Sequence, residues 1–319
     1  MAEPSSSGEE SVEGARPAAR VAVDPLSGRE VIYAPRRSKR PGSSGAWIPA
    51  AADGEADACP FCEGHEHSTP PELFALGTEK GRLSDCPGWK VRVVPNLYPA
   101  FERQQVVIHS PDHARSLGDL SDGQLALIVE AWARIAEEAW SEGFDHLLVF
   151  VNEGEAAGAS RPHSHSQTVW LDREPPQVAA EAPRLRRDGC MLCALLADLP
   201  PALRLAKREL EEGAVLLAVA PAGRAPYELL IAPSEHLVDA FGEPAQLAAA
   251  LALAADGIRR LNAVEGPTPF NLWLHNFQGD GHWHLELVPR LSVFAGIELG
   301  AGIYVNTLEP EEAAARLRG

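Results

Sequence analysis

Two segments of the chain, about 120 to 130 residues apart, set out their apolar and polar positions in the same order. The first runs VRVVPNLYPAF from Val91, QQVVIHS from Gln104, a PDH turn ending at His113, a long periodic stretch, HLLVFVN from His146, and HSHSQ at 163–167. The second runs VLLAVAPAGRAP from Val215, YELLIAP from Tyr227, a PSEH turn ending at His236, another long periodic stretch, NLWLHN from Asn271, and HWHLE at 282–286. Within the periodic stretches, apolar residues recur at three- and four-residue steps: Leu125, Ile128, Val129, Trp132 and Ile135, then Leu247, Leu251, Ile258 and Leu261. This spacing predicts one amphipathic helix per copy, the first capped at Ser121 or Asp122. The β-branched runs, broken by Pro, Gly and Asn, predict strands of a mainly antiparallel sheet. The expected fold class is therefore α+β, with two tandem units that each pair such a sheet with a long amphipathic helix. A period this long marks a duplicated domain, since solenoid units are roughly 20 to 50 residues. The divisions expected are a flexible tail at 1–20, a first unit at 21–172, and a second at 173–319 that opens on a linker rich in Pro, Glu and Arg.

Composition narrows the classes of partner. With 319 residues and 45 % apolar side chains, the chain can bury a substantial core. A formal charge of −17 argues against a nucleic-acid partner, because binding a phosphate backbone needs clustered Lys and Arg. No apolar run approaches the roughly 18 to 20 residues that span a bilayer. The opening MAEPSSSGEE lacks the basic and apolar segments of a signal peptide, so a cytoplasmic protein without a membrane partner is expected.

The five cysteines fall as Cys59-Pro-Phe-Cys62, a lone Cys86, and Cys190-Met-Leu-Cys193. Two C-x-x-C pairs in a chain with no secretion signal favour thiolate metal ligation over disulfides, with a redox pair as the competing reading. Each copy also offers a histidine after a turn and the first histidine of an H-x-H. The candidate ligands are Cys59, Cys62, His113 and His163 in one copy and Cys190, Cys193, His236 and His282 in the other, the four N/S donors of a closed zinc site. The alternative is buried core cysteines and hydrogen-bonded core histidines; the matched order in both copies favours zinc, two ions per chain. His109 competes with His113, but its counterpart in the second copy is Ala232.

His165 follows His163 at a spacing that, in a strand, puts both side chains on one face about 7 Å apart. With His163 held by metal, His165 is held beside it but free, and a neutral imidazole is a good nucleophile toward phosphorus. The stretch before it, NEGEAAGASRPHSH, is rich in small residues, which suits a backbone that approaches a phosphate closely.

The stretch from Asn152 to Gln167 fits N-x-G followed by G-x-S-x-P-H-x-H-x-Q, and on it the chain resembles the galactose-1-phosphate uridylyltransferase family of the histidine-triad superfamily. The resemblance extends to DPLSGREVIYAPRRSKRP, CPFC, SPDH and HWHLELVPR, and covers most of the chain from about residue 22. It implies two histidine-triad-like units and double displacement. His165 attacks the α-phosphorus of UDP-glucose, glucose-1-phosphate leaves, and galactose-1-phosphate takes the uridylyl group from the histidine. It also implies phosphate contacts from Asn152, Ser160, Gln167, Arg37 and Arg40, a place near the nucleotide for Asn96, nucleotide-sugar and sugar-phosphate substrates, and a homodimer. Gln167 stands where hydrolases of the superfamily carry a third histidine. An amide can donate a hydrogen bond but cannot protonate a leaving group, which fits transfer between phosphates.

Two departures matter. The second copy carries Glu286 where the first has Gln167, and a carboxylate facing a phosphate is repulsive, so no second nucleophile is expected at His284. In some family members a Glu joins three C-terminal histidines at a second metal. Glu181, His275, His282 and His284 offer that set, in competition with the Cys190 pair for His282. The tail from Leu291 lacks a Lys that the best-known members place against the hexose phosphate. An ADP-glucose phosphorylase, which transfers through an adenylyl-histidine to phosphate, is therefore the alternative reading, ahead of a non-catalytic zinc-stabilised nucleotide-binding protein.

Overall fold

The two copies join edge to edge in one ten-stranded sheet. A computed structural model describes residues 20–39, 46–277 and 279–319. In chain order the strands are β1 (Arg20–Val23), β2 (Glu30–Tyr33), β3 (Phe74–Leu76), β4 (Val91–Pro95), β5 (Gln104–Ile108), β6 (His146–Glu153), β7 (His165–Leu171), β8 (Arg204–Glu209), β9 (Ala214–Val219), β10 (Leu229–Pro233), β11 (Phe270–His275), β12 (His284–Pro289) and β13 (Ile303–Asn306). The helices are α1 (Asp122–Ser141), α2 (Pro176–Glu181), α3 (Met191–Asp198), α4 (Pro244–Glu265), α5 (Gly296–Ala301) and α6 (Pro310–Arg318). The large sheet has the order β3-β4-β5-β7-β6-β11-β12-β10-β9-β8, and the order from β4 to β6 is mirrored from β9 to β11. The seam is the antiparallel pair β6–β11, in which Asn152 lies opposite Asn271. Mixed α+β structure with a large antiparallel sheet is as expected.

Both periodic helices form, and α1 is capped by Ser121, whose hydroxyl accepts from the Gln124 amide. Leu125, Ile128, Val129, Trp132 and Ile135 are all buried, as are Leu247, Leu251, Ile258 and Leu261 of α4, in one apolar cluster that draws on both copies. Each such side chain contributes roughly 1.5–3 kcal/mol when withdrawn from water, which holds both helices to one face of the sheet. On β7, Ser166 faces α1 and accepts from Trp132 Nε1 at 2.9 Å, so His165 and Gln167 point to the opposite face. A smaller sheet, β1-β2-β13, joins the start of the described chain to its end, with β13 parallel to β2. Of the expected tail, residues 1–19 lie outside the described residues and Arg20 opens β1. The linker contains α2. Among the described residues, no helix is long and apolar enough to cross a membrane.

One buried acid at the seam gives a stability prediction. Glu153 accepts from the Leu117 amide at 2.9 Å, while its other oxygen has no partner. Burial pushes its carboxyl up to about 8 from an ordinary 4.5, with Ser116, the Leu117 amide and Arg115 opposing the shift and Asp119 adding to it. The folded state then binds more protons than the unfolded state between those values. Stability therefore declines as pH rises from the ordinary value through about 8, by a few kcal/mol at most. Glu153→Gln should flatten that decline. Urea midpoints at acidic and alkaline pH check it, and an equal decline in both proteins would refute the assignment.

Candidate active site

Each C-x-x-C pair meets two histidines from elements far away in the chain. The ligand atoms of Cys59, Cys62, His113 and His163 all lie within 4.8 Å of one another, and so do those of Cys190, Cys193, His236 and His282. In the first group His163 Nδ1 is 3.5 Å from Cys59 Sγ and 3.6 Å from Cys62 Sγ, and His113 Nδ1 is 3.2 Å from Cys62 Sγ. In the second, His282 Nδ1 is 3.6 Å from Cys190 Sγ and 3.4 Å from Cys193 Sγ, and His236 Nδ1 is 3.5 Å from Cys193 Sγ. A tetrahedral ion with ordinary Zn–S and Zn–N bonds sets its S and N ligands about 3.6 Å apart, so both groups fit.

The outer nitrogens support the same geometry. His163 Nε2 donates to the Ser110 carbonyl at 3.0 Å and His282 Nε2 to the Pro233 carbonyl at 3.2 Å, which leaves each Nδ1 as a lone pair facing sulfur. His113 Nε2 donates to Glu55 at 3.0 Å; the second-copy counterpart, His236 Nε2, is 3.6 Å from Asp280. Burial and the neighbouring Cys59 push the Cys62 thiol up to about 12, so Cys62 becomes a thiolate ligand only around a cation. His109 is not in the group; its Nδ1 pairs with Ser164 Oγ behind the strand.

His163 lies in the bend just before β7 and not within the strand, yet the division of labour between the two histidines does not depend on a shared strand. His165 Nδ1 is 2.8 Å from the His163 carbonyl, an acceptor only, so Nδ1 carries the proton and Nε2 the lone pair. Burial holds the imidazole below its ordinary range, against the hydrogen bond to His163, which raises it. Phe61, between the two cysteines, sets its ring edge-on to His165 with centroids 5.3 Å apart.

Gln167 is oriented by partners fixed in their own right. The Tyr98 amide donates to Asn96 Oδ1 at 2.9 Å and the Ala100 amide to Gln104 Oε1 at 2.8 Å, so both side chains turn their NH₂ groups to Gln167. They donate to Gln167 Oε1 at 3.2 and 2.7 Å. Gln167 is left to present its own NH₂ as a donor. Asn96 thus acts on Gln167, and Gln104, which sequence reading missed, does so at shorter range.

Asn152 is the last residue but one of β6, just before the small-residue loop. Gly154 has φ +81°, and a Cβ there would meet Pro269 at 2.8 Å, so only glycine fits the close approach. Gly158 has φ +87° and faces Asn152 Nδ2. Ser160 is exposed on the loop that leads back to His163. Arg37 is exposed in a 3-10 turn (Pro35–Lys39), and among the described residues it makes no hydrogen bond or ion pair with this cluster. Arg40 lies outside the described residues.

The corresponding face of the second copy is filled. Arg224 bridges Glu228 and Glu286, each at 2.7 Å, and Trp273 Nε1 donates to Glu286 at 3.0 Å. Burial opposes the Glu286 charge, but Arg224, then His275 and Arg29, hold its carboxyl well below the usual range. Glu181, brought in by α2, lies 2.8 Å from His275 Nδ1 and 3.7 Å from His284 Nε2. These three form a separate group with metal-ligand spacing, while His282 sides with the cysteines.

The geometry has counterparts among known proteins. The sequence profile described as "Galactose-1-phosphate uridyl transferase, N-terminal domain" matches residues 99–175. An ADP-glucose phosphorylase from Arabidopsis thaliana is 31 % identical, over 97 % of this chain and 94 % of its own length. A galactose-1-phosphate uridylyltransferase from Thermotoga maritima is 25 % identical, over 92 % and 96 %. In three dimensions, the crystal structure of an ADP-glucose phosphorylase from Arabidopsis thaliana with bound ADP-glucose matches with a TM-score of 0.76 at 27 % identity, covering 94 % of this chain and 98 % of that one. A solved uridylyltransferase matches with a TM-score of 0.68 at 26 % identity, covering 93 % and 97 %. With a relative this similar over nearly the whole of both chains, and with the profile match falling on the histidine pair, the chain belongs to the galactose-1-phosphate uridylyltransferase family.

Proposed function

We propose that the chain transfers a nucleotidyl group from a nucleoside-diphosphate glucose to a phosphate-bearing acceptor, through a covalent intermediate on His165. The observation that carries this reading is the 2.8 Å hydrogen bond from His165 Nδ1 to the His163 carbonyl, which leaves Nε2 unprotonated with its lone pair available. In the first step Nε2 attacks the α-phosphorus. An N–P bond forms, the bridging P–O bond breaks, and glucose-1-phosphate departs with the bonding electrons. In the second step an acceptor phosphate oxygen attacks the same phosphorus, and the lone pair returns to Nε2. Neither leaving group needs a proton, which suits a glutamine at 167. The Gln167 NH₂ donates to a nonbridging oxygen, where negative charge builds up.

Zinc is the ion we assign to both Cys₂His₂ groups. Four protein ligands leave it no open position, so it supplies structure and not Lewis acidity. Its part here is to fix His163, whose carbonyl sets the tautomer of His165. In the division of labour we propose, unit 21–172 carries the chemistry and unit 173–319 supports it.

The motif pattern implies UDP-glucose and galactose-1-phosphate as the substrate pair. A specific observation favours a second reading, ADP-glucose with inorganic phosphate: the relative named for that activity is 31 % identical against 25 % for the uridylyltransferase. Intact-protein mass spectrometry at alkaline pH, after mixing separately with UDP-glucose and ADP-glucose, distinguishes them. A uridylyl adduct discharged by galactose-1-phosphate supports the first, and an adenylyl adduct discharged by phosphate the second. No adduct from either would refute the covalent mechanism.

A further inference from the structure

One side chain of the second copy, Asn271, reaches across the seam to Asn152 and the loop beyond it, and a second, Arg290, holds Asn271 from behind. Asn271, opposite Asn152 in the β6–β11 pair, donates through Nδ2 to Asn152 Oδ1 at 2.8 Å and to the Ala157 carbonyl at 2.8 Å. Arg290, just past β12, donates through Nη1 to Asn271 Oδ1 at 2.9 Å. Guanidinium has donors only and a backbone carbonyl accepts only, so the orientation of the Asn271 amide has one solution. Its oxygen faces Arg290 and its NH₂ faces Ala157 and Asn152. Asn152 must then turn its oxygen to Asn271 and its NH₂ away from the seam, where it lies 3.9 Å from the position a Cβ would take on Gly158. The Arg290 amide also donates to the Pro269 carbonyl at 2.7 Å, and Pro269 is the residue that packs against Gly154.

We propose that Asn271 and Arg290 are positioning residues for nucleotidyl transfer, fixing the polarity of the Asn152 amide so that its NH₂ donates to a phosphate oxygen of the nucleotide sugar. This rests on the phosphate-binding reading of Asn152. The arrangement parallels the one that turns Gln167, but here the orienting groups come from the other copy. It gives unit 173–319 a task in the reaction beyond enlarging the core. The isostere Asn271→Asp tests it, because a carboxylate sets oxygen against both Ala157 O and Asn152 Oδ1 and drives Asn152 to present its own oxygen to the phosphate.

The test is a double-mutant cycle on the rate of adduct formation, with UDP-glucose and ADP-glucose each in excess. Asn152→Ala should slow the reaction roughly a hundredfold, as for loss of one oriented donor. Asn271→Asp should slow it roughly tenfold to a hundredfold, as for a misplaced group. If Asn271 acts through Asn152, the double variant is no slower than Asn152→Ala alone, within about twofold; independent roles would multiply. Bound metal and melting temperature, measured on each variant, separate positioning from loss of fold, and Arg290→Met takes the place of Asn271→Asp if that chain does not fold. Multiplying effects, or an Asn271→Asp rate within about twofold of wild type, would overturn the relay. Asn152→Ala at the wild-type rate would overturn the reading of Asn152 itself and the relay with it. Should no adduct form, the same cycle on nucleotide-sugar dissociation constants in a His165→Ala background still decides the relay.

Discussion

His165→Ala is expected to slow nucleotidyl transfer on the order of 10⁴-fold or more, with both metal ions retained. Without the imidazole, the acceptor phosphate must displace glucose-1-phosphate directly, and two polyanions must approach each other in one step. No neighbouring group takes over. His163 commits Nδ1 to the cysteines and Nε2 to the Ser110 carbonyl, and His109 lies on the other side of the strand against Ser164. Gln167→Glu provides the contrast. It keeps the acceptor oxygen that Gln104 and Asn96 need but replaces the outward NH₂ with negative charge, so it should slow transfer roughly 10²- to 10³-fold while His165 still forms some adduct. Single-turnover rates under saturating nucleotide sugar separate the two. A His165→Ala protein within tenfold of wild type would remove His165 as nucleophile, and a Gln167→Glu protein at the wild-type rate would remove the amide from the charge-stabilising role.

Periodicity and spacing made part of this site legible. The helical repeat of Leu125, Ile128, Val129, Trp132 and Ile135 is local, and so is the alternation of β7. The two Cys₂His₂ clusters were legible because the chain states them twice, which made a distant pairing such as Cys59 with His163 readable from order alone. What stayed hidden depends on contacts that no local period records. Gln104 orients Gln167 across 63 positions and Asn271 orients Asn152 across 119, and neither carries a motif. Phe61 lies between two cysteines, and nothing local in the sequence marks its contact with His165. The β1-β2-β13 sheet joins the first described strand to the last, so no window of sequence contains both sides of it. The linker was read only as a connection rich in Pro, Glu and Arg, yet α2 is what brings Glu181 to His275.

The second copy shows what happens when the pattern is kept and the chemistry is not. Its His284 occupies the position of His165, but Glu286 replaces the donor amide and Arg224, Glu228 and Trp273 fill the surrounding space. A buried carboxylate held by a guanidinium is a stable arrangement only while its partners remain, so this face is set in one state and cannot alternate with a bound phosphate. The symmetry of the fold therefore survives in the backbone, the Cys₂His₂ groups and the histidine itself, and is broken where Glu286 stands in place of Gln167.

That broken symmetry predicts unequal consequences of disrupting the two chemically alike Cys₂His₂ groups to which we assign zinc. Cys59→Ser should remove one equivalent of zinc and abolish adduct formation, whereas Cys190→Ser should remove the other and leave adduct formation within about tenfold of wild type wherever the protein stays folded. The reason is mechanical: the first site fixes the bend at His163, whose carbonyl holds His165 Nδ1, while the second fixes the equivalent bend before His284, which faces Glu181. Each loss should also lower stability markedly, since structural zinc contributes roughly 10–16 kcal/mol in small zinc-dependent folds, comparable with the roughly 5–15 kcal/mol of a whole domain. Chelator titration adds an order of release. Glu55 accepts from the ligand His113 at 3.0 Å, whereas Asp280 stands 3.6 Å from His236, so the second site should release its ion first. Glu55→Ala should weaken the first site roughly 10- to 100-fold and erase that order. Metal content by mass spectrometry, read beside adduct formation at a temperature where circular dichroism shows every variant folded, is the measurement. Equal damage to adduct formation from Cys59→Ser and Cys190→Ser would mean that both ions hold the nucleophile, and that the chemistry does not reside in one copy.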